Sequence, residues 1–164
     1  MGAYLSLPIL FVAVVLQSTF VPQARILGGQ PDLTFLLVIA WAMHAPFRES
    51  IAWAMVGGIM QDLMSAVPTG ASALGMIILI YVLDRVREQL VGVGLLTLIG
   101  FVLAGTLWQH LVFQGVMLIS GFSIRPLSTL TNITLPSMAY NLILMIPIYW
   151  IVRRIQRRLG EQYA

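Results

Sequence analysis

The chain has 164 residues, of which 59% are hydrophobic and only 9% charged, with a formal net charge of +3 and a mean hydropathy of +0.93. With no polar stretch long enough for a soluble core, these values exclude an appended catalytic domain and indicate an integral membrane protein. Cysteine is absent, which removes disulfides, thiolate metal sites and a cysteine nucleophile together.

At roughly 20 residues per spanning helix, residues 1–164 make one all-α transmembrane domain, a bundle of about six transmembrane helices. The apolar run from Ala3 to Val21 lacks the basic start of a cleavable signal peptide and reads as a first span, 3–22. Further spans are predicted at 27–44, 47–66, 70–84, 91–118 and 131–152, broken by Gly-Gly-Gln-Pro, Ala-Pro-Phe-Arg and Ser-Gly-Phe-Ser. Small residues four apart, Ala54 with Gly58, Ala71 with Gly75 and Gly100 with Ala104, predict close helix contacts inside the bundle.

Every basic residue is an arginine, and six spans divide them seven against two: Arg48, Arg85, Arg87, Arg153, Arg154, Arg157 and Arg158 oppose Arg25 and Arg125. The positive-inside rule then puts the C-terminus in the cytoplasm, and an even number of spans puts the N-terminus there too. Charge bias does not choose between five and six spans, because a re-entrant 47–66 would exchange Arg25 with Arg48 and leave the ratio unchanged. The Arg153-Arg154 and Arg157-Arg158 pairs suit a helix C-terminus and an anionic lipid surface, so the positive charge gives no argument for nucleic acid.

Asp32, after Pro31, is placed in the first turn of the second span, where an acid complements the helix dipole. Asp62 falls at the far end of the third span, and Pro68-Thr69-Gly70 then forces a reversal into a helix beginning Ala71-Ser72. The free N–H groups of that helix make Asp62 a cap between two helices; the other readings are a proton or cation site and a partner contact. Asp84-Arg85-Val86-Arg87-Glu88 reads as a solvated loop. His44 and His110 stand apart from acids at ligand spacing, so no metal or cofactor is expected. Gln109, His110 and Gln114 suggest one polar face on the fifth span, with Trp108 in an interfacial belt. Asn141, between Pro136 and Pro147, suits a proline-freed carbonyl.

Pro31-Asp32-Leu33, the run Gly58-x-x-x-Asp62-Leu-x-Ser-x-x-Pro68-x-Gly70, and Leu135-Pro-Ser with Asn141 before a basic tail together resemble MreD, the rod shape-determining membrane protein family of bacteria. That resemblance implies a non-enzymatic scaffold of the elongation machinery, binding MreC and, indirectly, MreB, RodA and its penicillin-binding protein. It also implies a six-helix fold like the substrate-binding component of energy-coupling-factor transporters, which supplies the alternative function of vitamin or small-solute binding. A polytopic lipid enzyme would need clustered acids or histidines. Under the scaffold reading, the third and fourth spans, with Gly57, Gly58, Asp62, Pro68 and Gly70, shape a partner groove or hold it rigid.

Overall fold

The computed structural model describes residues 2–19, 21–24, 28–65, 69–89, 95–122 and 126–161. The described residues are all-helical: α1 (Gly2–Thr19), a 3₁₀ turn (Val21–Ala24), α2 (Leu33–Ala42), α3 (Phe47–Leu63), α4 (Ala71–Gln89), α5 (Leu95–Ile119), the single turn α6 (Pro126–Thr129), a π turn (Leu130–Thr134) and α7 (Leu135–Glu161). The stretches Leu96–Ile119 and Leu130–Arg158 are long and apolar enough to cross a membrane. Arg25, Pro68 and Arg125 lie outside the described residues, so the turn proline and the two opposing arginines have no structural account here.

Helix α2 sits at the centre. It packs on α3 and α7, α3 packs along α4 and α1, and α5 closes against α4 and α7. Phe35, Leu36, Val38, Ile39 and Trp41 of α2 join Leu10, Trp53, Met76, Ile80, Leu98, Val102 and Met145 in one core. Trp41 stacks on Trp53 with ring centroids 4.1 Å apart.

The helix found within the expected second span, 27–44, is much shorter than that segment. It has only 10 residues, eight of them buried, and so a length of about 15 Å, half a bilayer core. Hydropathy measures the apolar run, whereas the helix is ended by caps: the Asp32 side chain at one end and the Met43–Pro46 turn at the other. The first four N–H groups and last four carbonyls of any helix need partners, and several of those of α2 find them on other helices. Thr34 N–H donates to Gln17 Oε1 of α1 at 3.0 Å, and Phe35 N–H to Asp32 Oδ1 at 3.0 Å. At the other end Arg87 Nη1 donates to the carbonyls of Ala42 and Ala45 at 3.1 and 2.9 Å, and Gln156 Nε2 to Trp41 O at 3.0 Å.

This changes the reading of residues 84–88. They continue α4 rather than forming a solvated loop, and Arg87, paired with Asp84 at 3.3 Å, caps the C-terminus of α2. A guanidinium there meets the negative end of the helix dipole. Likewise α7 runs on through the arginine pairs to Glu161, beyond the expected end at 152.

Of the three small-residue pairs, two are internal. Ala54 and Ala71 are buried; Gly58 abuts Ala73 and Gly75 abuts the Gln109 side chain, so neither glycine has room for a Cβ. The third is not: Gly100 and Ala104 are exposed, nothing lies within 4 Å of a Cβ at Gly100, and both line an outer groove of about 430 Å³ with Val82, Leu96, Thr97 and Phe101.

Candidate functional site

The polar side chains of the bundle gather where α2 and α4 begin, α3 ends and α7 starts. Asp62, in the last turn of α3, is 1% exposed. Its Oδ2 accepts the Gly70 N–H at 2.7 Å, and both oxygens accept the Ser72 N–H at 3.2 Å. Gly70 and Ser72 are the N-cap and second residue of α4, so Asp62 does from another helix what an N-cap side chain does locally. The donors expected from sequence were Ala71 and Ser72; Gly70 replaces Ala71. Its φ of 105° is open to glycine at little cost. The carboxylate's charge is thus met by amide dipoles at a positive helix end.

A second cluster joins four helices through Asp32 and Asn141. Asp32 is the N-cap of α2 rather than a first-turn residue, and its Oδ2 accepts from Gln61 Nε2 of α3 at 2.9 Å. Its backbone N–H donates to Asn141 Oδ1 of α7 at 2.8 Å. Asn141 Nδ2 donates in turn to Thr106 Oγ1 of α5 at 3.0 Å, and the Thr106 hydroxyl donates to Val102 O at 2.7 Å. Each step passes from donor to acceptor without conflict, which fixes the orientation of the amide. Asn141 therefore serves Asp32 and Thr106, not a proline-freed carbonyl. One turn earlier on α7, Ser137 Oγ accepts the Gln30 N–H at 3.1 Å, so Ser137 and Asn141 together hold the segment leading into α2.

The expected polar face of α5 is divided among neighbours. Gln109 meets α4 at Gly75, His110 Nδ1 lies 2.8 Å from Thr134 Oγ1 of the π turn, and Gln114 is 4% exposed. Trp108 is an internal tie, not a belt residue, donating through Nε1 to Gly75 O at 3.1 Å. Gln61 Oε1 and Gln114 Nε2 are buried without a partner among the described residues.

Gly57 is buried with its α-carbon facing Thr34, Val38 and Leu10. Gly57, Gly58, Asp62 and Gly70 thus meet at the α3–α4 and α2–α3 contacts and do not line the outer groove. Arg153, Arg154, Arg157 and Arg158 are exposed at the opposite end of the bundle, where His44 Nε2 is 3.4 Å from the Tyr149 hydroxyl. Sequence reasoning passed over Gln17, Gln61 and Thr106, and noted Ser137 only within the Leu135-Pro-Ser resemblance. Their signal was present, since a glutamine within an apolar run is a polar group that needs a partner.

The model of the family described as rod shape-determining protein MreD matches residues 1–159. The chain belongs to the MreD family. No curated protein and no solved structure matches the chain. MreD proteins form a membrane protein family of shape-determining structural components, and the match runs through all the residues of the polar joint in this MreD chain.

Proposed function

We propose that the protein is a non-enzymatic, multi-pass scaffold of the bacterial cytoplasmic membrane. It crosses six times, α2 with the segment before it counting as one crossing, and keeps both termini in the cytoplasm. It binds MreC and through it links MreB filaments to RodA and its penicillin-binding protein, and so to peptidoglycan synthesis and cell shape. The family match over residues 1–159 carries this reading. Seven of nine arginines at one end support the orientation.

The chemistry of the joint favours a scaffold. Asp32, Asp62, Thr106 and Asn141 are engaged with one another or with helix ends, an arrangement that fixes helices rather than presenting groups to a substrate. The outer groove of α4 and α5 offers apolar walls and the small residues Gly100 and Ala104, which let a helix backbone approach closely. The single membrane helix of MreC packs there, while Gly57, Gly58, Asp62 and Gly70 hold α3 and α4 rigid.

Co-purification with MreC in mild detergent tests the proposal. Gly100→Leu should abolish co-elution without lowering the melting temperature of the protein, whereas Asp62→Asn should lower both. Undiminished MreC binding by Gly100→Leu would remove the groove from the proposal, and a wild-type chain that never co-elutes with MreC would sink the scaffold reading. The alternative, a solute-binding transporter component, draws on the unpartnered Gln114 amide. It requires the purified chain to retain a small ligand, which mass spectrometry would detect.

A further inference from the structure

The arginine end holds more positive charge than the fold employs. Arg87 serves the end of α2 and Asp84, but Arg48, Arg153, Arg154, Arg157 and Arg158 are exposed and have no ion-pair partner among the described residues. Helix α7 has a fixed rotation there. Val152 is 2% exposed, Ile155 packs on the core, and Gln156 is tied to Trp41 O. Arg153 and Arg157, one turn apart, therefore stand in one place. Their neighbour is His44, in the turn between α2 and α3, whose ring lies 5.7 Å from that of Tyr149.

The same stripe of α7 changes character along its length. Ile146, Trp150, Arg153 and Arg157 recur at four, three and four residues, the spacing of one helix face. Ile146 and Trp150 are 58% and 76% exposed. An exposed tryptophan immediately before arginines marks the level at which acyl chains give way to headgroups. At this end Phe47 also packs edge-on against Tyr81, over which Arg85 lies at 5.4 Å.

We propose that Arg153 and Arg157, with His44 and Tyr149 beside them, bind the phosphate of an anionic phospholipid whose acyl chain lies along Trp150 and Ile146. Two guanidinium forks and a phenol hydroxyl suit phosphate oxygens. The apolar half of the stripe favours a lipid over free phosphate or an acidic protein, because neither has a chain to place there. The inference rests on the membrane placement proposed above and not on binding to MreC.

His44 reports occupancy. Burial first, then Arg153, Arg87 and Arg157, hold its imidazole below the ordinary 6.5; of the groups around it, Asp84 is paired with Arg87 and Glu49 accepts from Trp41 Nε1. A bound phosphate opposes the arginines. The His44 titration is followed by NMR in nanodiscs of phosphatidylcholine alone or mixed with phosphatidylglycerol, its signal identified by loss in His44→Gln. The midpoint should rise by about one pH unit with the anionic lipid, as for an opposite charge at close range. Arg153→Gln/Arg157→Gln should abolish that rise, and Arg154→Gln/Arg158→Gln, removing equal charge from elsewhere on the helix, should keep it. Equal rises in all three proteins would mean only a general surface potential and would overturn the site. The same rise with inorganic phosphate in detergent would overturn the assignment to a lipid. Membrane placement is checked separately in cells. A cysteine introduced as Arg158→Cys, in a chain with none of its own, should resist an impermeant maleimide applied from outside; labelling would refute the orientation while leaving the nanodisc result intact.

Discussion

Gly58 of α3 rests on the backbone of Ala73 in α4, with no room between them for a side chain. One turn further along α3, Asp62 caps the start of the same helix. The two contacts act on the same pair of helices by different means, one by allowing the backbones to touch and the other by binding α4's first amides.

Gly58→Ala should therefore force α3 and α4 apart and destabilise the protein by about 1–3 kcal/mol, the usual cost of overpacking. Thermal unfolding in detergent measures this, with Gly100→Ala, which has open space around it, expected to melt as wild type. Equal melting of the two variants would show that the α3–α4 approach is not tight.

Asp62→Asn keeps the shape but removes the charge and sets an NH₂ group against the Ser72 N–H, which both carboxylate oxygens accept, or, in the other orientation, against the Gly70 N–H as well. A buried N–H left without its acceptor costs about 1–3 kcal/mol. Hydrogen exchange should accelerate at the amides of Gly70 and Ser72 before it does in the middle of α4. Unchanged protection at both would contradict the cap.

Asn141→Ala and Thr106→Val each break the chain from Asp32 to Val102, so their effects should not add. The double variant should be more stable than the sum of the single losses by about 0.5–3 kcal/mol, as for groups in one network. Strict additivity would mean that the two side chains act independently.

His44 gives a pH dependence of definite sign. Its pKa in the folded protein is lowered from 6.5, chiefly by burial and then by Arg153, Arg87 and Arg157, so the unfolded chain binds the proton more readily. Stability is complete above pH 6.5 and is lost as the pH falls from there through the folded-state value. His44→Gln should flatten this part of the melting-temperature profile, and an unchanged slope would assign it to other groups.

The Asp62 cap was readable because its donors follow within ten residues, across a turn that Pro68 and Gly70 announce. The partners of Asn141 and Arg87 were not. Asp32 lies 109 residues before Asn141, and Ala42 lies 45 before Arg87, so no local spacing joins them. Asp84-Arg85-Val86-Arg87-Glu88 looks solvated because its charges alternate at short range, although the decisive partner is a carbonyl on another helix. Positions 27–44 read as a full span because hydropathy registers apolar length and is blind to where a helix is capped. The outward direction of Gly100 was equally hidden, since a pair of small residues has the same spacing on an inner or an outer face.

The half-length of α2 bears on how the chain is put into the membrane. A helix of ten residues released alone into lipid would leave its terminal amides and carbonyls unmatched in hydrocarbon, where each costs several kcal/mol. Gln17 of α1 is already made when α2 emerges, but Arg87 is 45 residues away, and Ser137, Asn141 and Gln156 belong to α7, made about a hundred residues later. The second segment thus acquires its final seat only when the seventh helix arrives, and translation order and folding order diverge at the centre of the bundle.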